Sequence, residues 1–390
     1  MCSYDLLYNK FLKITEIFPV HSVGIVTGRD HFTIKFTEDE VWGVVVSFSR
    51  MDPELARMTY KLGRDARDWK VELAQKDLRE SKLDKKKIVP ILYRPFDVRY
   101  TYYTGKSRGF HCMPRPEVMR HMLKRNWGLI TIRRPRDPRK WQYAFITETI
   151  ISGSTAISSL DINYLFPLYV YEKKEEKKNP FGTMMMFFEK KEEEYEIPRP
   201  NINPKLLEKL KMAYGEPPFE GDILLYIYAI LYSDIYRTKY DEFLRADFPA
   251  IPFTKNKEKF KKMRDLGERL AKLHLLMGPE LDVRDMRLMG DDDRVREVRY
   301  DEENERVYIN EKSYFERVKK EVWEYEIGTY QICRKWLEDR KGRSLSYNDI
   351  STYFRMVSAI EKTMEIQKEI DELYPQIEEE LLEFEEEGEE

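Results

Sequence analysis

Gly105, Lys106 and Ser107 form the last part of a phosphate-binding loop of the kind that holds nucleoside triphosphates. In such a loop the backbone N–H groups wrap the phosphates, which requires a further glycine five residues before the second one. That position is occupied by Tyr100, and no apolar strand leads into the motif. The spacing therefore argues against a nucleotide site and indicates a polar loop.

His111 and Cys112 place two types of metal ligand next to each other. A structural zinc site needs a second pair of ligands at short spacing. The remaining histidines are scattered along the chain: His21, His31, His121 and His274. No set of Ser, His and Asp or of Cys and His has the local context of a catalytic nucleophile. The sequence thus predicts neither a metal site nor a nucleophilic enzyme.

Two other patterns concern nucleic-acid chemistry. Glu-x-Lys triplets at 172–174, 176–178 and 189–191 match half of a nuclease site, but charge-rich segments produce this triplet by chance. The motif Asn179-Pro180-Phe181-Gly182 resembles the Asn-Pro-Pro-aromatic loop with which amino-methyltransferases hold a flipped adenine. Its second proline is missing, and no glycine-rich cofactor turn follows a strand upstream. We therefore expect no catalysis and no bound cofactor in this chain on its own.

The basic residues are concentrated in one stretch of the chain. Between Lys85 and Phe145, 16 Lys and Arg stand against three acidic residues, whereas the whole chain has a net charge of −3. Aromatic residues are interleaved with these basic ones, as on a polyanion-binding surface. The alternative is a set of solvated strand faces whose ionic partners lie in the acidic remainder. Charge alone leaves both interpretations open.

Composition narrows the class of protein further. The chain has 390 residues, of which 42% are hydrophobic and 36% charged. It contains no apolar stretch near the roughly 20 residues that a transmembrane helix needs. Three widely spaced cysteines cannot form a disulfide framework, and the amino terminus has no signal-peptide pattern. We expect a cytoplasmic, multi-domain protein without a membrane partner.

Local patterns predict an α+β fold. Apolar or alternating runs at 22–27, 32–36, 98–103, 128–132, 143–147 and 164–171 predict strands. Pro116 opens a predicted helix that ends at Lys124, and residues 203–277 are predicted to be helical. Ser346 and Asp349 form a capping box. The apolar residues that follow at spacings of three and four predict a long amphipathic helix packed on a partner helix: Ile350, Phe354, Val357, Ile360 and Met364. After it we expect a frayed acidic tail.

One long run of residues resembles a known family. It extends from 91 to 110, including Tyr93-Arg94-Pro95-Phe96-Asp97, and continues at 114–122. Other matching blocks keep the same order: 18–30, 68–70, 164–169, 247–252, 273–276, 322–330 and 335–337. Together they resemble the C-terminal specificity region of single-chain restriction–modification enzymes, the type ISP and type IIG-like N6-adenine methyltransferases.

The resemblance implies a target-recognition domain. Its function would be sequence-specific recognition of double-stranded DNA, which directs adenine-N6 methylation and cleavage by the rest of the enzyme. The implied partners are duplex DNA and the methyltransferase and nuclease domains or subunits. S-adenosylmethionine is expected only in a methyltransferase domain that would precede this chain, so the chain is either a fragment or a separate specificity polypeptide. The alternative function is a non-catalytic scaffold that binds another subunit of a defence complex.

The resemblance and the local patterns together predict five segments. A mixed, mostly antiparallel recognition domain is expected before a helical C-terminal portion. The predicted segments are a β-rich piece with helices (1–87), the α/β recognition core (88–172), a charged linker (173–202), a helical subdomain (203–293), and a β excursion with the C-terminal helices and acidic tail (294–390).

Candidate DNA contacts fall into two groups. Phosphate contacts position a protein on the duplex. We expect such contacts from residues 85–87 and from Arg94, Arg99, Tyr102, Tyr103, Thr104, Lys106, Ser107, Arg108, Arg115, Arg120, Lys124, Arg125 and Lys140. Base edges are read mainly in the major groove, where Arg binds guanine and Gln binds adenine. The candidate readers lie on a Pro-containing loop between two predicted strands and on a following turn: Arg133, Arg134, Arg136, Arg139, Gln142, Ser152, Ser154 and Thr155. Residues 94–121 match the pattern that the family shares, so we expect them to serve structure or backbone clamping.

Overall fold

The computed structural model describes residues 3–66, 68–172, 197–278, 281, 283 and 287–384. The triplets at 176–178 and 189–191, the Asn179–Gly182 motif and most of the predicted linker lie outside these residues. Within the described part of the chain, no helix combines the length and the apolar character that a membrane span requires. The observed elements form the α+β fold that the sequence predicts.

The helices of the described residues, in chain order, are α1 (Ser3–Tyr8), α2 (Ile14–Ile17), α3 (Asp30–Thr33), α4 (Glu38–Arg50), α5 (Pro53–Thr59), α6 (Val71–Glu80), α7 (Pro116–Met119), α8 (Pro204–Tyr214), α9 (Glu220–Tyr232), α10 (Asp234–Lys239), α11 (Asp241–Ala246), α12 (Lys257–His274), α13 (Lys320–Trp323), α14 (Ile332–Glu338) and α15 (Tyr347–Glu379). Two 3-10 helices span Lys85–Lys87 and Arg120–Leu123.

The strands are β1 (Leu12–Lys13), β2 (Ser22–Val23), β3 (Ile34–Lys35), β4 (Ile88–Arg94), β5 (Asp97–Tyr102), β6 (Gly128–Ile132), β7 (Ala144–Thr147), β8 (Ile150–Ile151), β9 (Asn163–Pro167), β10 (Tyr169–Glu172), β11 (Ile197–Pro200), β12 (Ala250–Ile251), β13 (Arg299–Asp301), β14 (Arg306–Tyr308), β15 (Tyr314–Phe315), β16 (Glu326–Ile327) and β17 (Tyr330–Gln331).

The first four-stranded sheet is antiparallel and has the order β2-β9-β6-β7. Every residue of its inner strand β6 is buried, which explains why the sequence there is a continuous apolar run rather than an alternating one. Gly128 pairs with Thr147 and Pro167 at one end of the sheet, and Ile132 pairs with Asn163 at the other. The loop that follows β6 and the segment that precedes β9 therefore leave the sheet at the same end.

The second sheet has the order β3-β5-β4-β8 and is mixed, because β8 runs parallel to β4. The two sheets meet where β8 continues past residue 151. Gly153 donates its N–H to the carbonyl of Ile25 at 2.8 Å, and Ile25 donates to Ile151 at 2.8 Å. A Cβ on Gly24 would lie 2.7 Å from the nitrogen of Gly153, so this crossing requires glycine. The mixed, mostly antiparallel domain is thus confirmed.

Two local predictions are wrong. Residues 32–36 were expected to form one strand, but α3 occupies the first part and only β3 pairs with β5. The carbonyl of Arg29 accepts hydrogen bonds from Phe32 and Thr33, which winds this segment into a turn and buries the Phe32 ring. The helix expected from Pro116 to Lys124 is a single α-turn followed by a 3-10 turn that ends at Leu123.

The C-terminal portion is helical, as expected, and α15 is its longest element. Ser346 and Asp349 form the predicted capping box, with the Ser346 hydroxyl accepting from the Asp349 N–H at 3.1 Å. The helix packs on α12 and α9 of the same chain, which confirms the prediction of a partner helix. Residues 223–232 of α9 are all buried, so this helix is apolar around its whole circumference.

The acidic end is not frayed over its described length. The helix α15 continues to Glu379, and Leu381 then forms a β-bridge with Thr254. The carboxylate of Glu378 accepts hydrogen bonds from the hydroxyls of Tyr240 and Tyr374, each at 2.8 Å. Specific tertiary partners for these acids, which charge density alone did not reveal, hold the segment in place.

Candidate nucleic-acid interface

Two of the candidate loops come together at one end of the first sheet. The 133–142 loop leaves β6 after Ile132, and the 152–162 segment enters β9 at Asn163, which pairs with Ile132. The backbone N–H of Arg136 donates to the carboxylate of Asp161 at 3.0 Å and ties the two loops to each other. The structure thus brings together two candidate loops that the sequence analysis treated separately.

Asn163 organises the second of these loops. Its side-chain oxygen accepts from the backbone N–H groups of Ile157 and Ser158, each at 2.9 Å. Its amide nitrogen donates to the carbonyls of Gly153 and Ser158, each at 3.0 Å. Because this buried amide bonds to both arms of the loop, the loop has a defined shape without regular secondary structure.

The helical portion is hydrogen-bonded to the 133–142 loop through one of its own arginines. Arg245 at the end of α11 donates to the carbonyl oxygens of Asp137 at 2.7 Å and of Pro138 at 3.1 Å, and also to that of Arg139. Its Nε donates to Asp241 at 2.6 Å. One guanidinium thus fixes three consecutive peptide groups of a loop that has no strand partner of its own.

The arginines of this loop are exposed and have acidic or carbonyl partners. Arg136 has 78% of its side chain accessible, and its nearest carboxylate, that of Asp161, lies at 3.9 Å. The Arg133 side chain is 50% exposed and pairs with Asp247 at 2.7 Å. Arg134 donates to the carbonyl of Ala246 at 2.8 Å. Exposed ion pairs of this kind contribute about 0–1 kcal/mol, so a polyanion could replace these partners at small cost.

Arg139 and Lys140 lie closer to neighbouring acids. Arg139 donates to both carboxylate oxygens of Asp137 and also pairs with Glu326. These hydrogen bonds raise the pKa of Arg139 and hold the pKa of Asp137 below its usual value. Lys140, a phosphate-contact candidate, pairs with Asp234 at 2.7 Å. Both cations help to attach the loop to the rest of the chain.

The β16–β17 hairpin completes this end of the sheet. Gln142 donates to the carboxylate of Glu326 at 3.1 Å, and Gly328 donates its N–H to the Gln142 carbonyl at 2.9 Å. Gly328 has a φ of +60°, and a Cβ there would lie 1.6 Å from the carbonyl oxygen of Ile157. The hairpin can therefore fit between the two loops only with glycine at its turn.

The 152–155 turn offers one exposed candidate. Ser152 is completely buried and Thr155 is 8% exposed, and the Thr155 hydroxyl donates to that of Ser152 at 2.7 Å. Ser154 between them is exposed. In this conformation Ser152 and Thr155 shape the turn, whereas Ser154 stays available for contact.

The first residues of the 102–108 loop lie away from the surface that the 133–142 and 152–162 loops form. Tyr102 pairs with Ile88 at the beginning of β4, whereas Ser152 follows β8 at the far end of the same sheet. Tyr102 and Tyr103 are buried, with hydroxyls bonded to the backbone of Asp84 and Pro114. We conclude that these two tyrosines support the loop from inside the protein.

The exposed part of this loop faces the amino-terminal helices. Lys106 pairs with Glu80 at 2.6 Å, Arg108 pairs with Asp68 at 3.4 Å, and Thr104 donates to Asp77 at 2.8 Å. Ser107 is exposed. The remaining phosphate-contact candidates nearby are Arg115, which lines a cavity of about 260 Å³ together with Arg108, and the exposed Arg120, Lys124 and Arg125.

Lys124 and Arg125 lie apart from the 133–142 loop. They precede β6, so the five residues of that strand separate them from the arginines that follow it. At about 3.3 Å per residue the strand is roughly 17 Å long, so the two basic groups lie at opposite ends of it.

Arg94 and Arg99 occupy a buried ion network. Arg99 donates to Asp97 at 2.7 Å, and both arginines donate to Asp339, Arg94 at 2.6 Å and Arg99 at 3.1 Å. Arg340 after α14 also donates to Asp97, at 2.9 Å. This network joins the second sheet to the helical portion, so the guanidinium groups of Arg94 and Arg99 are already bonded to carboxylates of the chain itself.

The buried carboxylate of Asp97 is electrostatically balanced. Burial by itself raises the pKa of Asp97, but the charges and hydrogen bonds of Arg340 and Arg99 outweigh it, and the pKa is lowered. Arg99 also lies over the rings of Tyr93, at 4.0 Å, and Phe36, at 4.2 Å. No local pattern indicates that Asp97 and Arg99, which lie in a block that matches the family, contact residues 339 and 340.

The described residues bear on the metal-site prediction. Among the described residues, no group of three or more His, Cys, Asp or Glu side chains is arranged to hold a metal ion. His111 is buried and its Nε2 bonds to the Thr101 hydroxyl at 2.8 Å. The structural partners that sequence reasoning missed are Arg245, Asp161, Asn163 and Gly328; of these, only Gly328 lies in a block that matches the family, and the block gave no indication of its partner Ile157.

Comparisons with known proteins identify one matching family and several solved structures with a similar fold. A model of the family described as "Type ISP C-terminal specificity domain" matches residues 16–369. No curated protein matches the chain. The fold is similar to part of the ATP-dependent Type ISP restriction-modification enzyme LlaBIII bound to DNA, with a TM-score of 0.66, 16% identity, and coverage of 93% of this chain and 24% of that one.

Two further solved structures share the fold. A nuclease-deletion mutant of the Type ISP enzyme LlaGI, in complex with a DNA substrate mimic, has a TM-score of 0.63 at 18% identity, over 93% of this chain and 34% of that one. The DrdV–DNA complex has a TM-score of 0.66 at 20% identity, over 93% of this chain and 38% of that one. The chain thus spans 24% to 38% of the length of these relatives.

Proposed function

The chain belongs to the Type ISP C-terminal specificity domain family, and on this basis we propose that it recognises a specific sequence in duplex DNA. Recognition would direct adenine-N6 methylation and cleavage by methyltransferase and nuclease domains or subunits. The related enzymes LlaBIII, LlaGI and DrdV were each solved with DNA or a DNA substrate mimic. We propose the same ligand for this chain.

The observation that carries the proposal is the surface at the end of the first sheet. Two loops leave a buried sheet at one end, and the 133–142 loop presents Arg133, Arg134 and Arg136 to solvent. A guanidinium can bind O6 and N7 of guanine in the major groove, whose width of about 12 Å admits a protruding loop. The sheet below and Arg245 beside the loop provide the rigid support that base reading requires.

The exposed basic residues before β6 suit a different task. Lys124 and Arg125, together with Lys106 and Arg108, can neutralise phosphates without selecting a sequence. We propose that these residues set the register and orientation of the duplex. The sequence-specific contacts would then come from the 133–142 loop and from Ser154.

The test is a selection of bound sequences from a random duplex pool by this chain at low salt, followed by affinity measurements. We expect an enriched sequence, modest affinity, and a steep decrease of log affinity with log salt concentration because phosphate contacts release condensed counterions. Enrichment of no sequence, or an affinity that does not change with salt, would contradict the proposal.

One observation favours the alternative of a protein-interaction module. The cations of the 133–140 segment already pair with acidic residues of the helical portion, such as Asp234 and Asp247. This is the arrangement expected if the basic stretch only stabilises contacts within the chain. The salt dependence of duplex binding separates the two functions, since a scaffold would show no such slope.

A further inference from the structure

Two large apolar side chains are exposed at the rim of the candidate interface. Leu160 is 51% exposed and Ile162 is 55% exposed. Between them the Asp161 side chain is only 3% exposed. The chain therefore turns Leu160 and Ile162 toward solvent and the polar residue toward the protein, which is the reverse of the usual preference.

This arrangement is fixed by a set of hydrogen bonds. The Ser158 hydroxyl donates to Asp161 at 2.8 Å and accepts from the backbone N–H groups of Leu160 at 3.2 Å and of Asp161 at 3.1 Å. The Asn163 amide donates to the Asp161 carbonyl at 3.2 Å. Because the loop is held from both sides, the two apolar side chains cannot turn inward without breaking several of these bonds.

The pair lies next to the arginines proposed to read bases. The β6–β9 ladder ends with Ile132 opposite Asn163, and Arg133 and Ile162 are the residues directly beyond that last pair. Asp161 accepts from the backbone N–H of Arg136, whose side chain is 78% exposed. The apolar side chains of Leu160 and Ile162 and the arginines of the 133–142 loop therefore lie at the same end of the first sheet.

From this juxtaposition we propose that Leu160 and Ile162 contact base edges in the major groove and recognise the 5-methyl group of thymine. The inference rests on the proposed function and adds an element to it. The thymine methyl is the apolar group that the major groove offers. Flanking guanidinium groups favour a polyanion over an apolar protein surface as the occupant of this edge.

The test uses the sequence selected from the random duplex pool. Each thymine of that sequence is replaced in turn by deoxyuridine, which removes only the methyl group. For the unaltered chain we expect at least one position where the replacement weakens binding about fourfold, the effect of burying one methyl-sized group. The variants Leu160→Ala and Ile162→Ala are then measured on both duplexes.

At least one of these two variants should bind the thymine duplex more weakly and should have lost most of its sensitivity to deoxyuridine. Leu55→Ala is the matched control, because Leu55 is also a leucine with 50% exposure and lies on α5. It should keep the full sensitivity. Thermal midpoints of all three variants should match that of the unaltered chain, since the altered side chains are exposed.

Two results would overturn the inference alone: a selected sequence with no methyl-sensitive position, or unchanged sensitivity in both loop variants. The second result is also expected if the apolar pair packs against another protein domain. Failure of the proposed function looks different, because no sequence would then be enriched in the selection.

Discussion

Arg245 donates to the carbonyl oxygen of Asp137 at 2.7 Å, although 108 positions separate the two residues in the chain. The bond connects the end of α11 to the loop that carries the candidate base-reading arginines. Since that loop lies outside the sheet, its shape depends on this contact and on the neighbouring bonds of the same guanidinium. A residue remote in sequence can therefore control how the proposed DNA surface is presented.

The first prediction follows from this contact. Arg245→Ala should reduce the ratio of cognate to random duplex affinity by about tenfold, since three carbonyls lose their common donor and the loop loses its fixed shape. Affinity for random DNA and its salt slope should change little. The matched control is Arg269→Ala, which removes an exposed arginine paired with Glu369 on α12 and α15. A preserved ratio in Arg245→Ala would show that the loop is held by other contacts.

A second prediction concerns the buried network around Asp97. Asp97→Asn keeps the shape of the side chain but leaves the guanidinium groups of Arg99 and Arg340 without their shared buried carboxylate. We expect the free energy of unfolding to fall by about 3–5 kcal/mol, measured by urea denaturation. Glu80→Gln removes the exposed partner of Lys106 and should leave stability nearly unchanged. Equal effects of the two variants would contradict the structural role of the network.

A third prediction concerns the dependence of stability on pH. Burial lowers the pKa of His111 to about 3, and burial together with Arg237 lowers the pKa of His274 to about 3. Both histidines have lower pKa values in the folded state than in the unfolded state, where the value is about 6.5. Their contribution to stability is therefore complete above pH 6.5 and is lost as the pH falls toward 3.

As the pH falls from about 6.5 toward 3, protonation of each histidine in the unfolded state should lower the free energy of unfolding by about 1.4 kcal/mol per pH unit. Urea denaturation at constant ionic strength between pH 7.5 and 5 measures the slope. NMR of the imidazole protons would show whether both rings stay neutral at pH 5. A stability that is flat between pH 6.5 and 5 would contradict the buried, neutral state of both side chains.

Local sequence patterns predicted those features that depend on neighbours along the chain. The apolar run of β6, the capping box at Ser346 and the pairing of a long helix within the chain were all predictable. Contacts over long sequence separations were not, as Arg245 with Asp137 and Arg340 with Asp97 illustrate. Such pairs follow from tertiary packing, and nothing in the spacing of the residues indicates them.

The same limit applies to the candidate interface. The basic character and the position of the 133–142 loop could be predicted, because the flanking strands have clear patterns. The burial of Ser152 and Arg99 could not, because polar residue types usually indicate a surface and only the folded chain shows their internal partners. The exposed pair Leu160 and Ile162 was missed for the opposite reason, since apolar residues in a loop suggest a core position.

A fourth prediction tests the residues that we assign to phosphate contact. Lys106→Ala and Lys124→Ala should weaken binding to all duplexes alike, and each should reduce the salt slope by about one unit. Lys261→Ala on α12 is a matched control for Lys106, because both lysines are half exposed and pair with a glutamate. If the slope fell equally in this control, the effect would reflect overall charge and not a contact.

The fifth prediction separates base reading from positioning. Arg133→Ala, Arg134→Ala or Arg136→Ala should cost about 1–3 kcal/mol on the selected sequence and much less on random DNA, if a two-bond contact to guanine is lost. Arg136 should show the largest effect, because 78% of its side chain is exposed and its carboxylate partner lies 3.9 Å away. Competition binding with both duplexes gives the ratio.

Thermal melting of the same variants tests the alternative role of these arginines. Arg133 pairs with Asp247 and Arg134 with the Ala246 carbonyl, so both could serve only to attach the loop to the helical portion. That role predicts a lower melting temperature and an unchanged affinity ratio. If all three variants keep the full ratio, the 133–142 loop does not read the sequence. Ser154 on the adjoining turn then becomes the residue to change next, since it is exposed on the same end of the sheet.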